Sequence, residues 1–91
     1  MFWTYVIQSI SIGKVYTGHT GNLEDRLKRH IEGRSKATKG WAPLLLIAAI
    51  ERETKSDAYQ LELKLKRMKN PEKMFRYLEI HFPESIKNKL V

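Results

Sequence analysis

The chain is predicted to fold as one α+β domain over residues 1–91, a three-stranded antiparallel sheet flanked by helices in the order β-β-α-β-α-α. Three features of the sequence lead there. Phe2 to Ser9 is aromatic and β-branched, a capped helical period runs from Asn22 to Gly33, and Leu44-Leu45-Leu46-Ile47-Ala48-Ala49-Ile50 is a continuous apolar run. Ninety-one residues suffice for one core and not for two.

In Phe2–Ser9, Trp3, Tyr5 and Ile7 alternate with Thr4, Val6 and Gln8, the period of a strand. Ser11-Ile12-Gly13 carries turn chemistry, and Lys14 to His19 reads as a second strand, which makes an antiparallel hairpin. Asn22 is a good N-cap, Glu24 and Asp25 suit a first helical turn, and Leu23, Leu27 and Ile31 are predicted to pack inward. Gly33 is placed to end that helix in the left-handed conformation. Residues 34–43 read as a loop, and Leu44 to Glu53 as a well-covered strand. Ser56 is predicted to cap a second helix with the stripe Ala58, Leu61, Leu65 and Met68. Asn70-Pro71 breaks it and opens a third helix with Met74, Phe75, Leu78 and Phe82 on its apolar side. Pro83 stops that helix, and Ser85 to Leu90 is read as a short terminal turn.

Composition narrows the function. Apolar residues make up 42% and charged residues 30%, a globular balance. No apolar run approaches the roughly 20 residues of a membrane span. The N-terminus has neither the charge nor the cleavage site of a secretory signal, so a soluble cytoplasmic protein is expected. With no cysteine, disulfides, thiolate metal sites and a cysteine nucleophile are excluded. Seventeen Lys and Arg against ten Asp and Glu leave a charge of +7. Between residues 26 and 39, Arg26, Lys28, Arg29, Arg34, Lys36 and Lys39 are opposed by Glu32 alone. Such a cluster is either a phosphate-facing patch or a solvated surface.

Several residues stand out for chemistry. Tyr5 and Tyr16 are cross-strand or diagonal neighbours if the hairpin forms, and the choice lies between aromatic packing and a phenol that orients a water. Gly18 ends its strand where close approach of a backbone or a phosphate is possible. Arg26 and His30, one helical turn apart, project from one side of the first helix, with Arg26 at the border of core and solvent. The planar fork of an arginine there suits a phosphate. Glu62 flanks the buried stripe of its helix, either snorkelling to solvent or held near the sheet. One carboxylate is enough for a Mg²⁺ ion that keeps several waters. His19, His30 and His81 share no zinc-ligand spacing.

Taken in order, Thr4-Tyr5-Val6, then Tyr16-Thr17-Gly18 ten residues on, Asn22-Leu23 with Arg26 and His30, and Glu62 in a later helix resemble the GIY-YIG nuclease family. The likeness is greatest to its small single-domain members, related to the N-terminal domain of the nucleotide-excision-repair nuclease and to structure-specific endonucleases. It spans roughly residues 3 to 70. It implies the three-stranded sheet and metal-dependent hydrolysis of DNA phosphodiesters, in repair or recombination, with Mg²⁺ or Mn²⁺ as cofactor. Position by position, it makes Tyr5 and Tyr16 the two motif tyrosines, Arg26 the catalytic arginine, His30 the histidine one turn later and Glu62 the metal-binding glutamate. Gly18, His19, Lys28, Arg29, Arg34, Lys36 and Lys39 are expected to face nucleic acid. Thr4 and Val6 replace the Gly and Ile of the name-giving triplet, and His19 stands where some members carry lysine.

On this reading Tyr16, with Tyr5 beside it, orients and deprotonates the attacking water. Arg26 neutralises the growing phosphate charge, His30 or His19 positions water or relays a proton, and all converge on one concave spot. Without an appended DNA-binding domain, substrate choice would come from the chain's own surface, a partner protein or a homodimer, on branched or single-stranded DNA. Two other functions compete. One is a non-catalytic nucleic-acid-binding module or adaptor, which shares the basic patch. The other is a protein-interaction domain with Phe2, Trp3 and Trp41 as an exposed patch.

Overall fold

The structure, a computed structural model, describes residues 1–91. The hairpin forms as Phe2–Ser9 (β1) and Val15–Thr20 (β2), paired antiparallel with Tyr5 opposite Gly18 and Ile7 opposite Tyr16. Helix α1 (Leu23–Ile31) begins where the Asn22 side chain accepts the Asp25 N–H at 3.0 Å. It ends before Gly33, whose φ of +74° is left-handed. A single 3₁₀ turn, Lys36–Thr38, interrupts the following loop. Strand β3 (Leu44–Arg52) pairs with β1 on its other side. Helices α2 (Lys55–Lys66) and α3 (Pro71–His81) follow, α3 with Asn70 as its cap and Pro71 in its first turn.

The structure changes three expectations about the elements. The sheet has four strands, in the order β2-β1-β3-β4, because Ile86–Leu90 pairs antiparallel with β3 as β4 and is no terminal turn. Its Ile-Lys-Asn-Lys-Leu carries almost no buried side chain of its own, so only backbone pairing with β3 makes it a strand. Lys87 and Lys89 suit an outer edge, where charge discourages further pairing. Thr54, not Ser56, caps α2, its hydroxyl accepting the Asp57 N–H at 3.0 Å. Ile31 is 41% exposed, and the deeply buried residue of α1 is its neighbour His30.

Two thin apolar layers cover the sheet. On the face of α2 and α3 lie Val6, Ile47, Ala48, Ile50, Leu61, Leu65, Met74 and Leu78. On the face of α1 lie Tyr5, Ile7, Leu44, Leu46 and Ala49, against which Leu23, Leu27, Trp3 and Trp41 pack. Trp3 and Trp41 are therefore part of the core margin, and Phe2 is half-buried, so the exposed aromatic patch is absent. A bulge makes both layers possible. Val6 faces Ala48 while Ile7 faces Leu46, so Ile47 is the extra residue and Ile47 and Ala48 both join the α2–α3 layer. Thr4 ties the helix layer to the sheet by donating its hydroxyl to the Ala58 carbonyl at 2.8 Å. No helix is long and apolar enough to cross a membrane.

Leu65 is fully buried in the larger layer, so Leu65→Ala is expected to cost about 2–5 kcal/mol in urea unfolding. The exposed Ile31 predicts the opposite, and Ile31→Ala is expected to change stability by less than about 0.5 kcal/mol.

Candidate active site

On the α1 face, the hairpin register sets Tyr5 and Tyr16 diagonally, with ring centroids 6.3 Å apart. The ring of Tyr5 lies directly over Gly18. A Cβ at that position would stand 2.7 Å from Tyr5 Oη and 3.0 Å from Tyr16 Cε2, so glycine is what lets the phenols reach the β2 backbone. His30, 1% exposed, closes the group, its ring 5.6 Å from that of Tyr5 and 5.1 Å from that of Tyr16. His30 Nε2 shares a 2.8 Å hydrogen bond with Tyr5 Oη, and Nδ1 shares a 2.7 Å bond with Thr38 Oγ1.

Electrostatics sort these groups. Burial holds the His30 pKa below its ordinary 6.5, and the neighbouring Arg26 guanidinium lowers it further, so the ring is neutral. Burial pushes the Tyr5 phenol up, the nearby Tyr16 adds to the rise, and Arg26 opposes it. Tyr5 is thus a protonated phenol held by histidine and a poor base. Tyr16 is only part-buried.

The α2 face contributes the carboxylate. Glu62 projects beside Leu61 and Leu65, and its side chain is 9% exposed. Its Oε1 lies 2.6 Å from His19 Nδ1, and its Oε2 accepts from Lys66 Nζ at 2.7 Å. Burial alone pushes the Glu62 pKa up, but the hydrogen bonds from Lys66 and His19 together hold it below its ordinary value. The group is ionised at neutral pH. In return the bond to Glu62 raises the Lys66 pKa, so its ammonium persists.

The two half-sites meet across β2, one of the two edge strands. Lys66 spans it on one flank, bonded to Glu62 and 5.9 Å from the centre of the Tyr16 ring. With Lys69 and Tyr16 it lines a recess of about 250 Å³. On the other flank His19 and Arg26 share a recess of about 230 Å³ with Phe2, Thr20, Gly21 and Lys55. The structure therefore gathers Tyr5, Tyr16, Gly18, His19, Arg26, His30 and Glu62 around an open edge, where a single bowl was expected. Lys28, Arg29, Arg34, Lys36 and Lys39 stand apart on α1 and the following turn, all exposed. Arg29 pairs with Asp25 at 3.1 Å and Arg34 with Glu32 at 2.8 Å. Sequence reasoning overlooked Lys66 and Thr38. Lys66 could have been found, since it follows Glu62 by one helical turn. Thr38 carries no such signal, as its bond to His30 depends on how the loop returns.

The donor set suits one kind of metal. No group of three or more His, Asp or Glu side chains is gathered to enclose an ion. Glu62 offers an ionised carboxylate with lone pairs beyond its two present bonds, and Lys66, about half-exposed, can move aside. A hydrated Mg²⁺ or Mn²⁺ needing one protein carboxylate fits such a site.

Two outcomes follow from this geometry. Gly18→Ala forces the Tyr5 ring out of place and is expected to cost about 1–3 kcal/mol, read as a lower melting temperature with an altered near-ultraviolet tyrosine signal. A buried neutral His30 makes the unfolded chain the better proton acceptor below pH 6.5. Stability should therefore fall as pH drops from 6.5 toward 5, and His30→Gln should flatten that slope in thermal melts. Glu62, whose folded pKa is depressed, adds its own loss only below about pH 4.5.

Comparison with known proteins identifies the family. Residues 1–81 match the family model described as the GIY-YIG catalytic domain. The UPF0213 protein YsiG of Lactococcus lactis is 33% identical, over 93% of this chain and 94% of that protein. A UPF0213 protein of Bacillus licheniformis is 36% identical, over 82% of this chain and 77% of its own length. The solution structure of a UPF0213 protein from Bacillus halodurans superposes with a TM-score of 0.55 at 26% identity, covering 89% of this chain and 86% of that one. With tyrosines, arginine, histidine and glutamate gathered at one strand edge, and a family match running from residue 1 to 81, the chain belongs to the GIY-YIG family, a family of endonucleases.

Proposed function

We propose that this protein is a metal-dependent endonuclease that hydrolyses DNA phosphodiester bonds across the open edge of β2. The observation that carries this reading is the Glu62 carboxylate, kept ionised between His19 and Lys66 at the rim of the phenol cluster. A module that only binds phosphate has no use for an anion there, because it repels the ligand and is costly to bury.

The residues divide the work by exposure and protonation. Tyr16, part-buried and flanked by Lys66, orients the attacking water and, as the phenolate left once its own proton has gone to solvent, takes the water's proton. Tyr5 is protonated and locked to His30, so it positions Tyr16 and the β2 backbone. Arg26, half-buried beside the Tyr5 and His30 rings, neutralises charge that grows on the phosphate oxygens. His19 and Lys66 fix the orientation of Glu62, the residue that would hold a divalent ion. Bound there, such an ion would supply charge neutralisation to the phosphodiester. Lys66 and Lys69 beside Tyr16, and the cluster Lys28, Arg29, Arg34, Lys36 and Lys39, supply contacts to neighbouring phosphates.

Labelled single-stranded, branched, nicked and duplex DNA incubated with Mg²⁺ or Mn²⁺ tests the reading. Cleavage is expected in metal and binding alone in EDTA. Arg26→Ala and Glu62→Gln should each lower the rate by about 10²–10³, Arg26→Ala with little change in melting temperature and Glu62→Gln with a modest fall that leaves the protein folded. Wild-type cleavage rates in both variants, or binding without cleavage under every metal condition, would overturn it.

A further inference from the structure

We propose that Tyr59, with Lys55 and His19, forms a seat for an unpaired nucleobase beside the reacting phosphodiester, so that this chain selects DNA with a single-stranded segment at the cut. The inference rests on the nuclease reading and adds the substrate class. Tyr59 lies on α2 and is 43% exposed, unlike the buried or half-buried aromatic residues of β1 and β2. Its ring meets His19 edge-on, with centroids 5.4 Å apart and planes inclined at 62°. An edge contact leaves a ring face available for stacking, the arrangement in which an aromatic side chain accepts a base.

A lone exposed tyrosine on a helix is unremarkable. This one borders an open recess of about 560 Å³ lined by His19, Lys55, Ser56 and Tyr59. Ligand sites commonly fall between about 300 and 1,000 Å³, so there is room for a base and its sugar. No carboxylate lines the recess, and Lys55 supplies the charge to meet a backbone phosphate. Ser56 adds a hydroxyl able to donate to or accept from a base edge.

The recess is joined to the catalytic group. His19 forms its wall and, through Nδ1, touches Glu62 Oε1 at 2.6 Å. Lys55 and His19 also line the recess that contains Arg26. A nucleotide stacked on Tyr59 is thus separated by one side chain from the carboxylate, with its phosphate near the Arg26 recess. Bases in an intact duplex are stacked on each other and present no free face, so the seat takes a flap, a gap or a single strand.

Fluorescence anisotropy in EDTA with matched single-stranded, flapped and blunt-duplex DNA tests this, alongside oligonucleotides carrying one 2-aminopurine at the flap junction. Tyr59→Ala is expected to weaken single-strand and flap binding about tenfold and to leave duplex binding unchanged. Tyr59→Trp should retain the preference, and 2-aminopurine quenching by the wild-type protein should disappear in Tyr59→Ala. Equal losses on all three DNAs, or no loss on any, would overturn the base seat while metal-dependent cleavage by the wild-type protein still upheld the nuclease reading. No cleavage of any DNA by a folded wild-type protein would remove the nuclease reading itself.

Discussion

The site depends on keeping an ionised carboxylate at the margin of an apolar layer. Glu62 shares its helix face with Leu61 and Leu65, where burial alone would drive it toward the neutral acid or out into solvent. One hydrogen-bonding partner on each carboxylate oxygen prevents both. Lys66 comes from the next turn of the same helix, so it holds the group without further tertiary constraint. His19 comes from the neighbouring strand and ties the carboxylate to β2. That cross-link joins α2 chemistry to the chemistry of the hairpin, and it aims Glu62 along the strand edge.

Opposite it, the α1 face solves the reverse problem with neutral groups. Tyr5, His30 and Thr38 form a buried chain in which every polar atom has a partner and none carries charge. A protonated His30 would stand beside the Arg26 cation in a poorly solvated place, which is why the ring stays neutral. The result is a rigid wall of phenol and imidazole rings supporting one part-exposed phenol, Tyr16. Rigidity on one face and an ion pair with a half-exposed lysine on the other give the edge a fixed side and an adjustable side.

A small sheet can serve two half-sites because it is covered on both faces. The β3 bulge sends Ile47 and Ala48 to the α2–α3 layer and returns Ala49 to the α1 layer, so one short strand feeds both cores. Strand β4 occupies the far edge with lysines, leaving β2 as the edge that carries the functional side chains. Tyr59 extends the same edge outward, the one aromatic residue of the region left open to solvent.

Much was legible in the chain itself, for reasons that are local. The alternation of Phe2–Ser9, the cap Asn22, the stop at Gly33, the stripe Ala58–Leu61–Leu65 and the break at Asn70-Pro71 report backbone preference and side-chain period, and each of these elements formed where it was expected. The diagonal pairing of Tyr5 with Tyr16 follows from the hairpin register, and the spacing of Tyr5, Tyr16, Arg26, His30 and Glu62 pointed to the family. Strand β4 was not legible, because Ile-Lys-Asn-Lys-Leu becomes a strand only through the hydrogen bonds β3 offers it. Ile31 and His30 exchanged roles, since hydrophobicity favours burying Ile31 whereas Tyr5 and Thr38 give His30 two partners inside. Nor could spacing show that Gly18 yields its space to a phenol, or that His19 and Lys66 divide the Glu62 oxygens between them. Local periodicity determined most of the elements, and the resemblance to the GIY-YIG family singled out the candidate site residues. Their meeting across the β2 edge depended on contacts between segments far apart in the chain, which only the packed sheet and helices could decide.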